Sequence, residues 1–255
     1  MNPTSRHILL ADDNPVNRKV LQHMLGRLGH TVEPVTTGKE AFEKASSSSY
    51  DLIFMDMMMP VMDGLEATRL IRQYEEGRRR TPIVAVTANA ERRDEQACAD
   101  AGMDVFLTKP FTFEQVKQCL ERFDSARFEV PGSEGLAPSI LKTFVETMGA
   151  DDTDFVLEVL RDLMEEANRV RASIHDALDE HRANDVARYA HSLKSAAAVV
   201  GAQELAGICG TMEAAAKKNN LEDVRLAFSR FDGALNLVRR DVEAFRAEHA
   251  PQQNA

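Results

Sequence analysis

Leu52-Ile53-Phe54-Met55-Asp56-Met57-Met58-Met59-Pro60-Val61-Met62-Asp63-Gly64 sets a short apolar run against an acidic residue at its end. The apolar part, 52–55, is a strand candidate. Four more such runs lie around it, at 8–11, 31–35, 83–86 and 105–107. Longer segments with helical spacing separate or follow them, at 16–28, 39–45, 65–74, 92–101 and 113–123. Gly29, Gly77 and Gly102 stand where helices should stop, and Pro82 opens a strand after a loop. Five strands alternating with five helices predict a parallel sheet covered by helices on both faces. In such a sheet the chemistry sits beyond the carboxyl ends of the strands.

Those ends carry a consistent set of residues. Asp12 and Asp13 follow the first strand and Asp56 the third, while Thr87 closes the fourth and Lys109 the fifth. Crowded carboxylates repel one another unless a cation joins them, and their hard oxygens suit Mg²⁺. A carboxylate nucleophile, a divalent metal, a hydroxyl and an ammonium together suit phosphoryl transfer, where catalysis is mostly positioning and charge neutralisation. A single Asp at a strand end is more often a helix cap, and a single Lys a solvated surface group. Five such residues at four of five strand ends carry the argument.

Ala11-Asp12-Asp13-Asn14-Pro15-Val16-Asn17-Arg18, Phe54 through Gly64, Val86-Thr87-Ala88-Asn89-Ala90 and Leu107-Thr108-Lys109-Pro110 together resemble the receiver domain of two-component response regulators, over about residues 6–123. The resemblance implies a flavodoxin-like sheet of order 2-1-3-4-5, with Asp56 as phosphoacceptor. It implies that Asp12 and Asp13 organise Mg²⁺ with Asp56 and the backbone carbonyl of Met58, and that Thr87 and Lys109 bind phosphoryl oxygens. Phe106 takes the position of the aromatic switch residue, and Lys109-Pro110 that of a cis peptide. Asn14, Asn17 and the Thr-Ala-Asn-Ala string are similar to receivers fused to hybrid sensor kinases. The methionines around Asp56 (Met55, Met57, Met58, Met59, Met62) read as core filling and a flexible rim rather than a redox sensor.

From 124 to 138 the text turns to Pro, Gly, Ser and Glu, a linker composition whose coil length is about 20 Å. Strand signals then vanish, and 140–148, 153–179, 185–200, 202–218 and 221–248 read as helices of a bundle. Leu157, Leu160, Met164 and Ala167 form one apolar stripe. Of seven histidines, His191 stands apart: in Ala190-His191-Ser192-Leu193-Lys194-Ser195, Lys194 and small Ser195 follow at three and four residues, on the same helical face. A neutral imidazole is a competent nucleophile near pH 7, a nearby ammonium can steady a phosphoryl group, and a small neighbour leaves the ring uncovered. This motif resembles the histidine phosphotransfer (Hpt) domain, over roughly 136–248, with Ser195 where that family usually has Gly. The expected division is a receiver domain at 1–123, a linker at 124–138, an all-α Hpt bundle at 139–250 and a tail at 251–255.

Composition narrows the function. The chain has 255 residues, 31 basic and 41 acidic, for a net charge of −10. No clustered cationic surface suits nucleic acid. The one basic run, Arg78-Arg79-Arg80, reads as a solvated connection. No apolar stretch is long enough to span a bilayer, the start lacks a signal-peptide layout, and three widely spaced cysteines suggest neither disulfides nor zinc, so a cytoplasmic location is expected. No ATP-binding kinase signature or glycine-rich nucleotide loop appears. The expectation is a phosphorelay intermediate, taking phosphate at Asp56 from an upstream sensor histidine kinase and passing it through His191 to a downstream response-regulator receiver. The alternatives are the carboxy-terminal receiver–Hpt portion of a hybrid sensor histidine kinase, which the initial Met1 and the lack of an upstream coiled segment disfavour, and a phosphorylation-switched binding regulator without onward transfer.

Overall fold

A computed structural model describes residues 5–76, 79–88, 92–123 and 152–248. The chain divides into two compact units, residues 1–135 and 136–255. In the first, β1 (His7–Ala11), β2 (Thr31–Val35), β3 (Leu52–Asp56), β4 (Ile83–Thr87) and β5 (Val105–Thr108) form one parallel sheet in the order β2-β1-β3-β4-β5. This is the expected order. Side chains alternate across a strand. Leu9, Ala11, Ile53, Met55, Ile83 and Ala85 therefore share one face, where they pack with Ala41 of α2 (Gly38–Ser47), Ala67 and Ile71 of α3 (Gly64–Glu75) and Cys98 of α4 (Arg92–Ala101). Ile8, Leu10, Phe54, Val84 and Val86 point the other way and are equally buried, as are Val20 and Met24 of α1 (Pro15–Arg27) and Val116 and Leu120 of α5 (Phe113–Arg122). A strand buried on both faces has no polar alternation to show, which is why these segments read as plain apolar runs.

The amino ends of β4 and β5 are fastened by Arg72. Its guanidinium donates to the carbonyls of Gly102 (2.8 Å) and Thr81 (2.7 Å) and to the carboxylates of Glu75 (2.8 Å) and Asp104 (2.7 Å). Arg79 donates to the carbonyls of Ala45 and Ser48, and Arg80 to Asp104. The expected solvated connection is thus an anchored one at two of its three arginines. Arg78 lies outside the described residues.

The second unit is helical throughout its described residues: α6 (Thr153–Asp179), α7 (Ala183–Val199), α8 (Gln203–Lys217), α9 (Leu221–Phe228) and α10 (Phe231–Glu248). The apolar face of α6 buries Val156, Val159, Leu160, Leu163, Ala167, Val170 and Ile174, while Leu157 and Met164 of the expected stripe are only half-buried. The single helix expected over 221–248 is two helices. Ser229 Oγ donates to the Leu226 carbonyl at 2.7 Å, competing with the helical ladder, while the chain turns to sink Phe231 into the core. Asn219, with φ 56°, ends α8, and the Asn220 side chain caps α9. The expected linker 124–138, helix 140–148 and tail 251–255 lie outside the described residues. All three cysteines are buried and unbridged, and burial pushes the thiols of Cys119 and Cys209 up to about 12.

Candidate functional site

The first unit gathers its polar residues at the carboxyl edge of the sheet. Asp12 and Asp13 follow β1, Asp56 ends β3, Thr87 ends β4 and Lys109 follows β5. Carboxylate oxygens of Asp12, Asp13 and Asp56 all lie within 4.8 Å of one another. Between two of them sits the Lys109 ammonium, donating to Asp12 Oδ2 at 2.7 Å and to Asp56 Oδ2 at 2.8 Å. The local backbone holds Asp12 in place: the Asn14 N–H donates to its Oδ1 at 2.9 Å, and Asn14 caps α1 with its own side chain. Asn17 Nδ2 also approaches Asp12 Oδ1, at 3.4 Å. The Met58 N–H donates to Asp56 Oδ1 at 3.4 Å, which puts the backbone of Met58 beside this carboxylate.

Burial pushes the Asp12 carboxyl up to about 7, with Lys109 pulling against that shift and Asp56 adding to it. Burial disfavours the Lys109 ammonium too, yet Asp12 and Asp56 outweigh it and hold Lys109 above the ordinary lysine value. Asp12 and Asp56 share one buried ammonium, Asp13 lies close beside them, and the hard oxygens of the three carboxylates fit a divalent cation. Gly64 permits the close packing behind Asp56: a Cβ there would stand 2.0 Å from the Asp56 carbonyl oxygen. Phe106 is half-buried against the core face. Lys109-Pro110 is cis, as expected. Asn89 and Ala90 of the Thr-Ala-Asn-Ala string lie outside the described residues.

In the second unit His191 lies midway along α7, with Lys194 one turn on. Sequence reasoning missed the residue that organises them. Glu213 of α8, with its side chain only 7% exposed, approaches His191 Nδ1 with Oε1 (3.0 Å), accepts from Lys194 Nζ at Oε2 (2.7 Å) and accepts from Lys217 Nζ at Oε1 (2.6 Å). Burial works against this carboxylate, but the hydrogen bonds from His191, Lys194 and Lys217 hold its pKa well below the ordinary glutamate range. An ionised carboxylate only accepts, so Nδ1 carries a ring hydrogen, which leaves Nε2 as the nitrogen that can serve as nucleophile in the neutral ring. Ser195 is buried in the bundle and the imidazole is only 16% exposed. The ring expected to be uncovered is largely enclosed, with Glu213 fixing its orientation. A single glutamate 22 residues downstream gives no sequence signal. Its one trace is a position on α8, where Lys217 follows it at helical spacing.

Comparisons with known proteins give a family match in each unit. Residues 8–121 match the family described as response regulator receiver domain, and residues 158–248 match the Hpt domain. Sensor protein EvgS of Escherichia coli (strain K12) is 30% identical over 83% of this chain and 17% of its own length. Sensor histidine kinase GacS of Pseudomonas protegens is 30% identical over 88% of this chain and 25% of its own length. The chain thus spans a quarter or less of these relatives. Among solved structures, the receiver domain of sensor histidine kinase PA1611 from Pseudomonas aeruginosa PAO1, which has a magnesium ion coordinated in its active-site cleft, is 45% identical. It covers 48% of this chain and all of that one, with a TM-score of 0.45.

Proposed function

This chain joins a response regulator receiver domain to an Hpt domain, and from that premise we propose that it relays phosphoryl groups between Asp56 and His191. The observation that carries the reading is the Lys109 ammonium held between Asp12 and Asp56 in a three-carboxylate cluster. Asp12, Asp13 and Asp56, with the Met58 carbonyl, would hold Mg²⁺. Bound there, the ion supplies the positive charge that lets a phosphoryl group approach a carboxylate.

Asp56 presents an oxygen to the phosphorus of a phosphohistidine. As the P–O bond forms, the P–N bond breaks and the imidazole leaves, taking up a proton. Lys109, already within hydrogen-bond reach of Asp56, turns to a phosphoryl oxygen, and Thr87 offers its hydroxyl to another. For the next transfer His191 attacks the phosphorus of a phosphoaspartate through Nε2, because Glu213 holds Nδ1. The N–P bond forms as the acyl P–O bond breaks, the carboxylate leaves, and Nδ1 keeps its hydrogen against Glu213. Lys194 moves from Glu213 toward the incoming phosphoryl group. Phosphate enters from an upstream sensor histidine kinase and leaves to a downstream receiver. Among the described residues no helix is long and apolar enough to cross a membrane. The similarity to EvgS and GacS across both modules supports a second reading with the same chemistry, in which these residues are the receiver–Hpt portion of a hybrid sensor kinase.

The decisive experiment labels the chain with radioactive acetyl phosphate and Mg²⁺. Label is expected first as an alkali-labile acyl phosphate and then as an acid-labile, alkali-stable phosphohistidine. Labelling of Asp56→Asn at the wild-type rate would show that the acceptor lies elsewhere.

A further inference from the structure

A groove of about 900 Å³ runs along the second unit between α8 and α9, and neither His191 nor Glu213 lines it. The Asn219-Asn220 joint turns α9 back along α8, so the two helices run antiparallel. One end of the groove is therefore bounded by Glu204 of α8 and by Arg230 just beyond α9, the other by Lys218 at the end of α8 and Asp223 of α9. Each end carries one acid and one base, and the two ends carry them on opposite helices. Among the described residues neither Glu204 nor Lys218 has an ion-pair partner. The whole chain has a net charge of −10, yet these four side chains cancel, so two copies can approach here without the repulsion that the rest of the surface imposes.

The spacing of these charges is symmetric. Positions 204, 207, 211, 214 and 218 follow one another at steps of three and four and share one face of α8. The series reads the same from either end about Thr211. Between its charged ends stand Gly207, Thr211 and Ala214, and Thr211 turns its hydroxyl back to the Gly207 carbonyl at 3.0 Å, so small groups alone face outward. Across the groove Asp223 and Arg230 stand equally far apart, with Leu226 between them and 70% exposed. A second α8 laid antiparallel on this face, about a two-fold axis at Thr211, brings Glu204 of each copy to Lys218 of the other, at two points about 21 Å apart. Asp223 and Arg230 are brought toward one another in the same sense, and the small residues let the helix axes approach closely. We propose that the α8–α9 groove is a self-complementary surface on which a second copy of this chain seats, α8 against α8, with Glu204 and Lys218 paired across the axis. A foreign helix would have to carry the reversed charges at the same separation, whereas a second copy supplies them by symmetry. The pairing is independent of the phosphoryl relay.

The test is sedimentation velocity of the full chain over a concentration series reaching hundreds of micromolar. The native chain should pass from monomer to dimer. Glu204→Lys and Lys218→Glu each set like charges together at both ends of the contact and should weaken dimerisation roughly 30-fold. An equal mixture of these two variants, and the chain carrying both, put opposite charges across the axis again and should dimerise within about threefold of native. Gly207→Gln probes the close approach. A Cβ at Gly207 meets nothing within 4 Å in the single chain, and Gln forms helix better than Gly, so the second unit should melt a few degrees higher. The same side chain stands in the way of the second helix and should weaken dimerisation about tenfold or more. A native chain that stays monomeric throughout would overturn the proposal and leave the groove to another occupant. A dimer that either charge reversal or Gly207→Gln fails to weaken would overturn it too, by placing the contact elsewhere on the chain. An equal mixture that does not recover what the single variants lose would overturn the two-fold pairing.

Discussion

The two sites solve opposite electrostatic problems with opposite arrangements. At the sheet edge one ammonium, Lys109, is surrounded by the carboxylates of Asp12 and Asp56, with Asp13 close by. In the bundle one carboxylate, Glu213, is surrounded by His191, Lys194 and Lys217. The first site has spare negative charge and calls for a metal before an anionic group can enter. The second sets one carboxylate against two ammonium groups and so offers cations of its own. A carboxylate acceptor has to be shielded from its substrate's charge, whereas an imidazole acceptor has to be turned so that the correct nitrogen faces out. The receiver site therefore draws on four strand ends across the whole domain, while the bundle site needs only two neighbouring helices.

The sharpest break in this comparison comes from removing each nucleophile. Asp56→Asn should abolish labelling by acetyl phosphate and by any phosphohistidine donor, with circular dichroism unchanged. His191→Gln should leave Asp56 labelling intact and eliminate onward transfer, measured on a phosphate-binding gel. A residual onward signal in His191→Gln would mean that a second histidine serves, and the asymmetry drawn here would fail.

Next in size is Glu213. Glu213→Ala frees the ring, and a mispositioned nucleophile should slow phosphorylation of His191 roughly 10- to 100-fold. Glu213→Gln can still accept from Nδ1 and should recover most of that rate. Ring nitrogen NMR gives the direct readout: the native chain should show hydrogen on Nδ1, and Glu213→Ala a shift toward hydrogen on Nε2. An unchanged tautomer would leave Glu213 as packing only.

The smallest effect expected is in acid stability. Glu213 sits below its ordinary value of 4.5 in the folded chain, so its contribution is complete above about pH 4.5. It is lost as pH falls through the depressed folded value. Melting of the second unit should therefore drop by a few degrees more in the native chain than in Glu213→Gln between pH 5 and pH 3 (roughly 3 °C of difference). Parallel acid profiles would show that the three basic partners do not stabilise the ionised form.

Much of the first site could be read in the sequence because a parallel strand ends abruptly, and its last residues announce the crevice. Asp12, Asp56, Thr87 and Lys109 each sit one or two positions from an apolar run, so sheet order alone brings them together. His191 and Lys194 were legible for a similar reason, since one helical turn joins them. Glu213 was not, because contact between α7 and α8 depends on how two helices pack, and a lone glutamate on a helix normally faces water. The break between α9 and α10 escaped notice because Ser229 and Arg230 interrupt no apolar pattern and carry no Gly or Pro. The role of Arg79 and Arg80 was hidden too: backbone carbonyls as partners leave no mark on composition.

The tied neck of the β3–α3 loop has a consequence for how such a protein is rewired. With Gly64 against the Asp56 carbonyl and its N–H bonded to Met57, the number of residues between these points is fixed, and Met59, Met62 and Asp63 among them are held by packing and capping while Met58 and Val61 are exposed. Residues 58–63 thus form a cassette of constant length. A segment of equal length from another chain, transplanted between the same two anchors, should leave the Asp56 carboxylate where it was. An insertion of one residue would open the neck and displace both.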